Sequence, residues 1–225
     1  MCGRFYIDDE TAREIEKIAR KIDRKMGKTG DVHPSEPALV LRGDRDGTVA
    51  EVLRWGYESA RKNTLIFNAR SETVRERPMF CYDYETHRCL IPADKFYEWK
   101  DTGEKKKEKY EFFVPGGILY LAGIYHKDPE GDRFTILTRE AEGCMTGIHR
   151  RMPLILRQED MESWLFSEKE AEKLLESHFS DLRRQKSEAY HLQPAAPAAN
   201  NTCPDRSPSP HKERPRRSPG GIRQG

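Results

Sequence analysis

Arg88-Cys89-Leu90-Ile91-Pro92-Ala93-Asp94-Lys95-Phe96-Tyr97-Glu98-Trp99 is the stretch that decides the fold. It opens on an apolar run of strand formers and ends on an aromatic one that Glu98 interrupts. Side chains alternate along a strand, so a strand over 96–99 puts Phe96 and Glu98 on one face and Tyr97 and Trp99 on the other. Working outward, similar β-rich runs recur at 38–42, 49–55, 64–68, 110–114, 118–125, 134–137 and 153–156, besides the one at 88–91. Gly43, Gly47, Gly103, Pro115-Gly116-Gly117 and Pro129 with Gly131 punctuate them as turns. Toward the N-terminus Ile15, Ile18, Ala19, Ile22 and Met26 recur at helical spacing, which predicts a helix over 8–26 capped by Asp8 or Asp9 and stopped by Gly27. Helical character returns from about Gln158, where Ser167 with Glu170 reads as a capping box ahead of Ala171, Leu174 and Leu175. The class is α+β: a mostly β single domain over residues 2–190, with a helix near each end.

The bulk numbers fit that reading. A chain of 225 residues with 35% charged and 36% hydrophobic residues suits one polar domain with a proper core. It has neither an apolar run of about 18 residues nor a basic stretch leading into an apolar segment, so no membrane span or secretory signal is expected. Five cysteines at irregular positions argue against a disulfide framework and for a reducing, cytoplasmic setting. From Gln193 onward six Lys/Arg face two Asp/Glu, so the net charge of +2 hides a basic tail on a slightly acidic remainder. That tail, residues 191–225, is rich in Pro, Ala, Ser, Asn and Arg and is expected to be disordered. Bulk charge therefore gives no argument for nucleic-acid binding, and any such argument has to come from particular residues.

The first of these is at the start, Met1-Cys2-Gly3-Arg4-Phe5. Removal of Met1 leaves Cys2 with an α-amine beside its thiol. An aldehyde reacts with the amine to give a Schiff base, and the thiol then closes a five-membered thiazolidine ring. The plain alternative is a small residue on a flexible terminus. Three other segments stand out: Phe67-Asn68-Ala69-Arg70-Ser71-Glu72-Thr73, the Glu98 strand, and Ile148-His149-Arg150-Arg151-Met152-Pro153. Each also has a structural reading: Asn68 as a turn cap, Glu98 as a half-exposed strand residue paired with a lysine, His149 as a satisfied loop histidine.

Together these segments, with Trp55-Gly56, resemble in order the SOS-response-associated peptidase (SRAP) family, from Cys2 to about Phe179. The resemblance implies barrel-like mixed sheets flanked by a few helices, and a role in DNA damage and repair. It also implies a covalent link between Cys2 and abasic sites in single-stranded DNA, lyase-like chemistry, and removal of the residue ahead of Cys2. Carried over by motif, Cys2 is the nucleophile, Asn68 orients the cysteine or the opened sugar, and Glu98 and His149 are the acid/base pair. Arg4 and Arg70, then Arg77 and Arg151, are expected to bind phosphate, Trp55 to lie near the stacked bases, and Thr138 to line the site. No cofactor, metal or membrane is implied, and a monomer is expected.

Lys95 stands where the family commonly has glycine, His33 where a smaller residue precedes the proline, and Arg150 where an acidic residue follows the histidine. The stretch between Gly56 and Asn68 is short and lacks a second tryptophan. Three other readings stay open: a cysteine peptidase with a Cys2–His149 dyad, a metal site at Cys81, His87 and Cys89 whose spacing matches no common zinc pattern, and a non-covalent single-strand binding module.

Overall fold

The computed structural model describes residues 2–19, 21–22, 29–59 and 64–187. Most strands belong to two sheets. In the smaller, the order is Arg183–Lys186, Glu108–Phe113, Lys95–Lys100, Phe5–Ile7, Gly30–Val32. The larger runs Arg151–Pro153, Arg133–Glu140, Leu119–His126, Arg88–Ala93, Pro37–Asp44, Gly47–Trp55, Lys21–Ile22. Parallel pairing of Arg133 with Arg54 and of Phe134 with Trp55 joins two strands of that row and closes a ring. A ring leaves those strands without free edges. The α+β, mostly β and barrel-like expectation holds.

The deciding stretch splits between the two sheets. Arg88–Ala93 is buried at every position, because one face lines the ring and the other is covered by the Met161–Phe166 helix. There Trp164 donates its indole N–H to the Cys89 carbonyl at 2.9 Å. Fully burying aliphatic side chains such as Leu90 and Ile91 contributes about 1.5–3 kcal/mol each. Lys95–Lys100 then crosses into the smaller sheet, pairing Phe96 with Phe5 on one side and with Phe112 on the other. The Phe96 and Phe112 rings stack at 5.0 Å.

One helical expectation needs correction. The N-terminal helix spans only Asp9–Ile18, and Lys21–Ile22 is a strand beside Gly47–Trp55. Asp8 caps the helix, accepting from the Glu10 and Thr11 amides at 2.9 and 2.7 Å. Pairing to the sheet outweighs the helical spacing that continues to Ile22; Met26 and Gly27 lie outside the described residues. The second helical region is broken into a 3-10 turn and the helices Met161–Phe166 and Glu168–Leu174, with Ser167 Oγ accepting from the Glu170 amide at 3.3 Å. The run at 64–68 divides as well: Leu65–Ile66 pairs with Tyr57–Glu58, and Asn68–Arg70 pairs with Arg133–Glu140. The basic tail lies outside the described residues. Among those described, no helix is long and apolar enough to cross a membrane.

Candidate active site around Cys2

The short Phe5–Ile7 strand fixes the N-terminal residues. It is held between Gly30–Val32 and Lys95–Lys100, with Phe5 opposite both Val32 and Phe96. The Tyr97 amide also donates to the Arg4 carbonyl at 3.0 Å, and that antiparallel register carries the chain back past Glu98. Cys2 is therefore fully buried. Its Sγ lies 4.0 Å from the Arg4 carbonyl oxygen. Burial, and next the nearby Glu98 charge, push the thiol well above its ordinary pKa, so the resting group is a protonated thiol.

Asn68 approaches from the ring. It begins the Asn68–Arg70 strand opposite Ile136, and its Nδ2 donates to the Cys2 carbonyl at 2.9 Å. Its Oδ1 is buried without a hydrogen-bond partner among the described residues. A buried, unfilled acceptor is costly in a resting protein, and it suits a site that awaits a donor from its ligand. Trp55 sets Asn68 in place, because its indole N–H donates to the carbonyl of Phe67 at 2.9 Å. The chain turns sharply after it at Gly56, where φ is +109° and an added Cβ would lie 2.5 Å from Leu65 Cγ.

Glu98 shares the face of Phe96, as the alternation predicts, and is only 4% exposed rather than half exposed. Burial raises its pKa above the ordinary carboxylate value, opposed by positive charge from the amino terminus and from His149. A carboxyl so raised keeps its proton more readily than an ordinary one and can deliver it. His149, half-buried after the Gly143–Met145 turn, places Nδ1 at 3.0 Å from both the amide nitrogen and the carbonyl oxygen of Arg151. An amide N–H can only donate, so the neutral ring accepts there and carries its proton on Nε2, whereas the imidazolium can donate to the carbonyl.

Several expected DNA contacts fall elsewhere. Trp55 is fully buried, stacked on Phe134 at 6.1 Å and tilted against Phe5 at 5.1 Å, so its ring cannot meet a base. Thr138 is 1% exposed and gives its hydroxyl to the Ala69 carbonyl at 3.2 Å, so it braces the Asn68 strand rather than lining a site. Arg151 is engaged by a bidentate pair with Glu72 at 2.6 and 2.7 Å and by the Thr138 carbonyl, so both of its terminal nitrogens already have protein partners. The Arg151 hydrogen bonds hold the Glu72 carboxyl below its ordinary pKa. Arg4 pairs with Asp31 at 3.1 Å and lies over the Tyr97 ring at 5.6 Å. Arg70 and Arg77 are exposed, form no ion pair among the described residues, and border a cavity of about 540 Å³ that Asn68, Met79 and Phe80 also line. Glu72 is the residue that sequence reasoning left without a role; its signal was a place inside the Asn68-to-Thr73 motif.

Cys81, His87 and Cys89 do not converge. His87 Nδ1 faces Asp83 at 3.1 Å, the Cys81 thiol points at the Pro78 carbonyl at 3.9 Å, and Cys89 is buried in the core. Among the described residues no group of three or more His, Cys, Asp or Glu side chains is arranged to hold a metal ion.

Comparison with known proteins finds relatives in sequence and in fold. The abasic site processing protein YoqW of Bacillus subtilis (strain 168) is 32% identical over 222 residues, covering 91% of this chain and 98% of that one. The abasic site processing protein YedK of Escherichia coli (strain K12) is 31% identical over 180 residues, covering 75% and 81%. A crystal structure of a protein from Bacteroides thetaiotaomicron shares the fold, with a TM-score of 0.69 at 24% identity over 82% of this chain and 91% of that one. The family model for SOS response associated peptidase (SRAP) matches residues 1–200, and the chain belongs to that family.

Proposed function

We propose that this protein handles abasic sites in single-stranded DNA by forming a thiazolidine with the lesion's aldehyde through Cys2. The observation that carries the reading is the company of Cys2: a buried thiol whose carbonyl is held by Asn68 at 2.9 Å, with Glu98 close enough to shift its pKa. The names of YoqW and YedK as abasic site processing proteins supply the substrate class.

The chemistry starts once Met1 is gone. The ring-closed sugar opens to its aldehyde, a step that needs a proton donor and an acceptor, and Glu98 and His149 fill those roles. The α-amine of Cys2 adds to the aldehyde carbon, the carbinolamine hydroxyl takes a proton from Glu98 and leaves as water, and the nitrogen returns a proton to the Glu98 carboxylate, giving the imine. The thiol sulfur then adds to the imine carbon while its proton passes to nitrogen. One water is released overall, and no oxidant or reductant is needed. A protonated thiol suits this order, because the amine attacks first and sulfur enters only after the electrophile is in place. Asn68 holds the Cys2 carbonyl and keeps both nucleophilic atoms aimed. Arg70 and Arg77, on the cavity beside Asn68, bind the flanking phosphates.

The test is to mix the protein with a single-stranded oligonucleotide carrying one abasic site and separate the products under denaturing conditions. A species that survives heat and high salt, and is missing with Cys2→Ala, supports the trap. Fully salt-reversible binding with wild-type Cys2 sinks it and leaves a non-covalent binding module.

A further inference from the structure

We propose that the lysine-bearing hairpin built on the Glu98 strand is a second, non-covalent DNA site, which takes the phosphates of the single strand running on from the lesion. The proposal rests on the abasic-site reading and extends it to the flanking DNA.

The hairpin joins Lys95–Lys100 to Glu108–Phe113, with Lys100 opposite Glu108. Its turn, residues 101–107, is exposed throughout and carries Lys105, Lys106 and Lys107. Most carboxylates nearby are already engaged: Asp101 with Lys107 at 3.5 Å, Glu108 with Lys186, Glu111 with Lys95 at 3.2 Å, Asp31 with Arg4 at 3.1 Å. Lys100, Lys105, Lys106 and Lys109 form no ion pair among the described residues, and Glu104 alone stands against them in the turn.

These cations form a track with a direction. Alternation along the strand puts Lys95 and Tyr97 on the face opposite Glu98. On that face Lys95 Nζ sits 5.1 Å from the Tyr6 ring centre, Lys109 Nζ 3.7 Å from that of Tyr97, and the Arg4 guanidinium 5.6 Å from Tyr97. Arg4 is two residues from Cys2 in the chain, so the track starts within a few residues of the nucleophile, on the sheet face opposite Glu98. From Tyr97 to the end of the strand at Lys100 the chain advances about 10 Å at ~3.3 Å per residue, and the exposed turn lies beyond it. A run of lysines on a loose loop is ordinarily just a solvated surface. Here the register between Phe5 and Phe96 fixes the hairpin to the strand that directly follows Cys2, so the cations on that face are held in the same sheet as the N-terminal segment. A polyanion chain leaving the site meets that series of charges, and the phosphates of single-stranded DNA are the partner that fits it.

The experiment uses the full chain and an unmodified single-stranded oligonucleotide, so that no covalent step intervenes. Affinity is measured against salt for the wild type, for Lys105→Gln/Lys106→Gln/Lys109→Gln, and for a control with three exposed lysines removed elsewhere, Lys17→Gln/Lys127→Gln/Lys169→Gln. The basic tail is common to all three and cancels. Each phosphate contact on a single strand contributes roughly 0.7 to the slope of log affinity against log salt, so the hairpin variant is expected to flatten it by about 2. The control keeps the wild-type slope. An unchanged slope in the hairpin variant, or an equal loss in the control, overturns the proposal. Adduct formation on an abasic oligonucleotide is scored separately: its absence in the wild type refutes the covalent reading, while the slopes alone decide the track.

Discussion

Cys2 and Cys89 are both fully buried, and burial raises the pKa of each thiol. Their surroundings differ. Cys89 sits mid-strand in the ring, its carbonyl bound by Trp164 and its Sγ crowding Gly123, where a Cβ would come within 3.2 Å of it. Cys2 lies just ahead of the Phe5–Ile7 strand, with Asn68 on its carbonyl, Glu98 nearby and His149 acting on Glu98. Burial makes a thiol inert wherever it occurs; what makes one a candidate nucleophile is an adjacent α-amine and polar groups able to move protons.

That contrast can be broken in graded steps. Cys2→Ala is expected to abolish the denaturation-resistant adduct. Cys89→Ala is expected to leave adduct yield per folded molecule unchanged while lowering stability by about 1 kcal/mol, read by denaturant melts. Adduct from Cys2→Ala, or its loss in well-folded Cys89→Ala, reverses the assignment.

Glu98→Gln keeps the shape and removes the proton. Crosslinking is expected to slow by about 10²–10⁴-fold, as for loss of a general acid, in single-turnover assays. The same variant has a stability signature. A raised carboxyl binds its proton more tightly folded than unfolded, so its contribution is present at low pH and is lost as pH rises from the ordinary carboxylate value through the raised one. Glu98→Gln should therefore gain on the wild type in melting temperature as pH rises above the ordinary carboxylate range. Parallel melting curves for the two proteins contradict a raised Glu98.

Asn68→Ala is expected to cost about 10²-fold in crosslinking rate, the scale of a misplaced reacting group, with a smaller stability loss since Oδ1 has no partner to lose. The smallest effect is expected from Glu72→Gln. It weakens the bidentate pair with Arg151, whose backbone holds His149, so the rate should fall several-fold while stability changes by less than about 1 kcal/mol. A rate unchanged across pH denies Arg151 its positioning role and frees it for phosphate.

The sequence made the β-rich class, the face shared by Phe96 and Glu98, and the Asp8 cap legible, because each rests on local periodicity or a local hydrogen bond. It misplaced what long-range packing decides. Ile22 keeps helical spacing yet lies in a strand, since a sheet edge is available to it. Trp55 and Arg151 belong to family motifs, Thr138 follows the strand run at 134–137, and their types suit DNA contact. The fold uses Trp55 and Thr138 to brace the Asn68 strand and Arg151 to seat His149. Motif membership marked Trp55 and Arg151 as tied to the site without telling a ligand contact from a support. Glu72 lacked a reading because its partner, Arg151, is distant in sequence.

The most direct measurement is the intact mass of the protein after reaction with an oligonucleotide carrying a single abasic site, beside Cys2→Ser, which keeps the amine and loses the thiol. The account predicts a wild-type adduct equal to the chain without Met1 plus the oligonucleotide less one water, stable to heat. It predicts that Cys2→Ser forms only an imine that must be reduced with borohydride to survive. A wild-type chain correctly processed to Cys2 that gives no such mass, or a Cys2→Ser adduct equally stable without reduction, contradicts it.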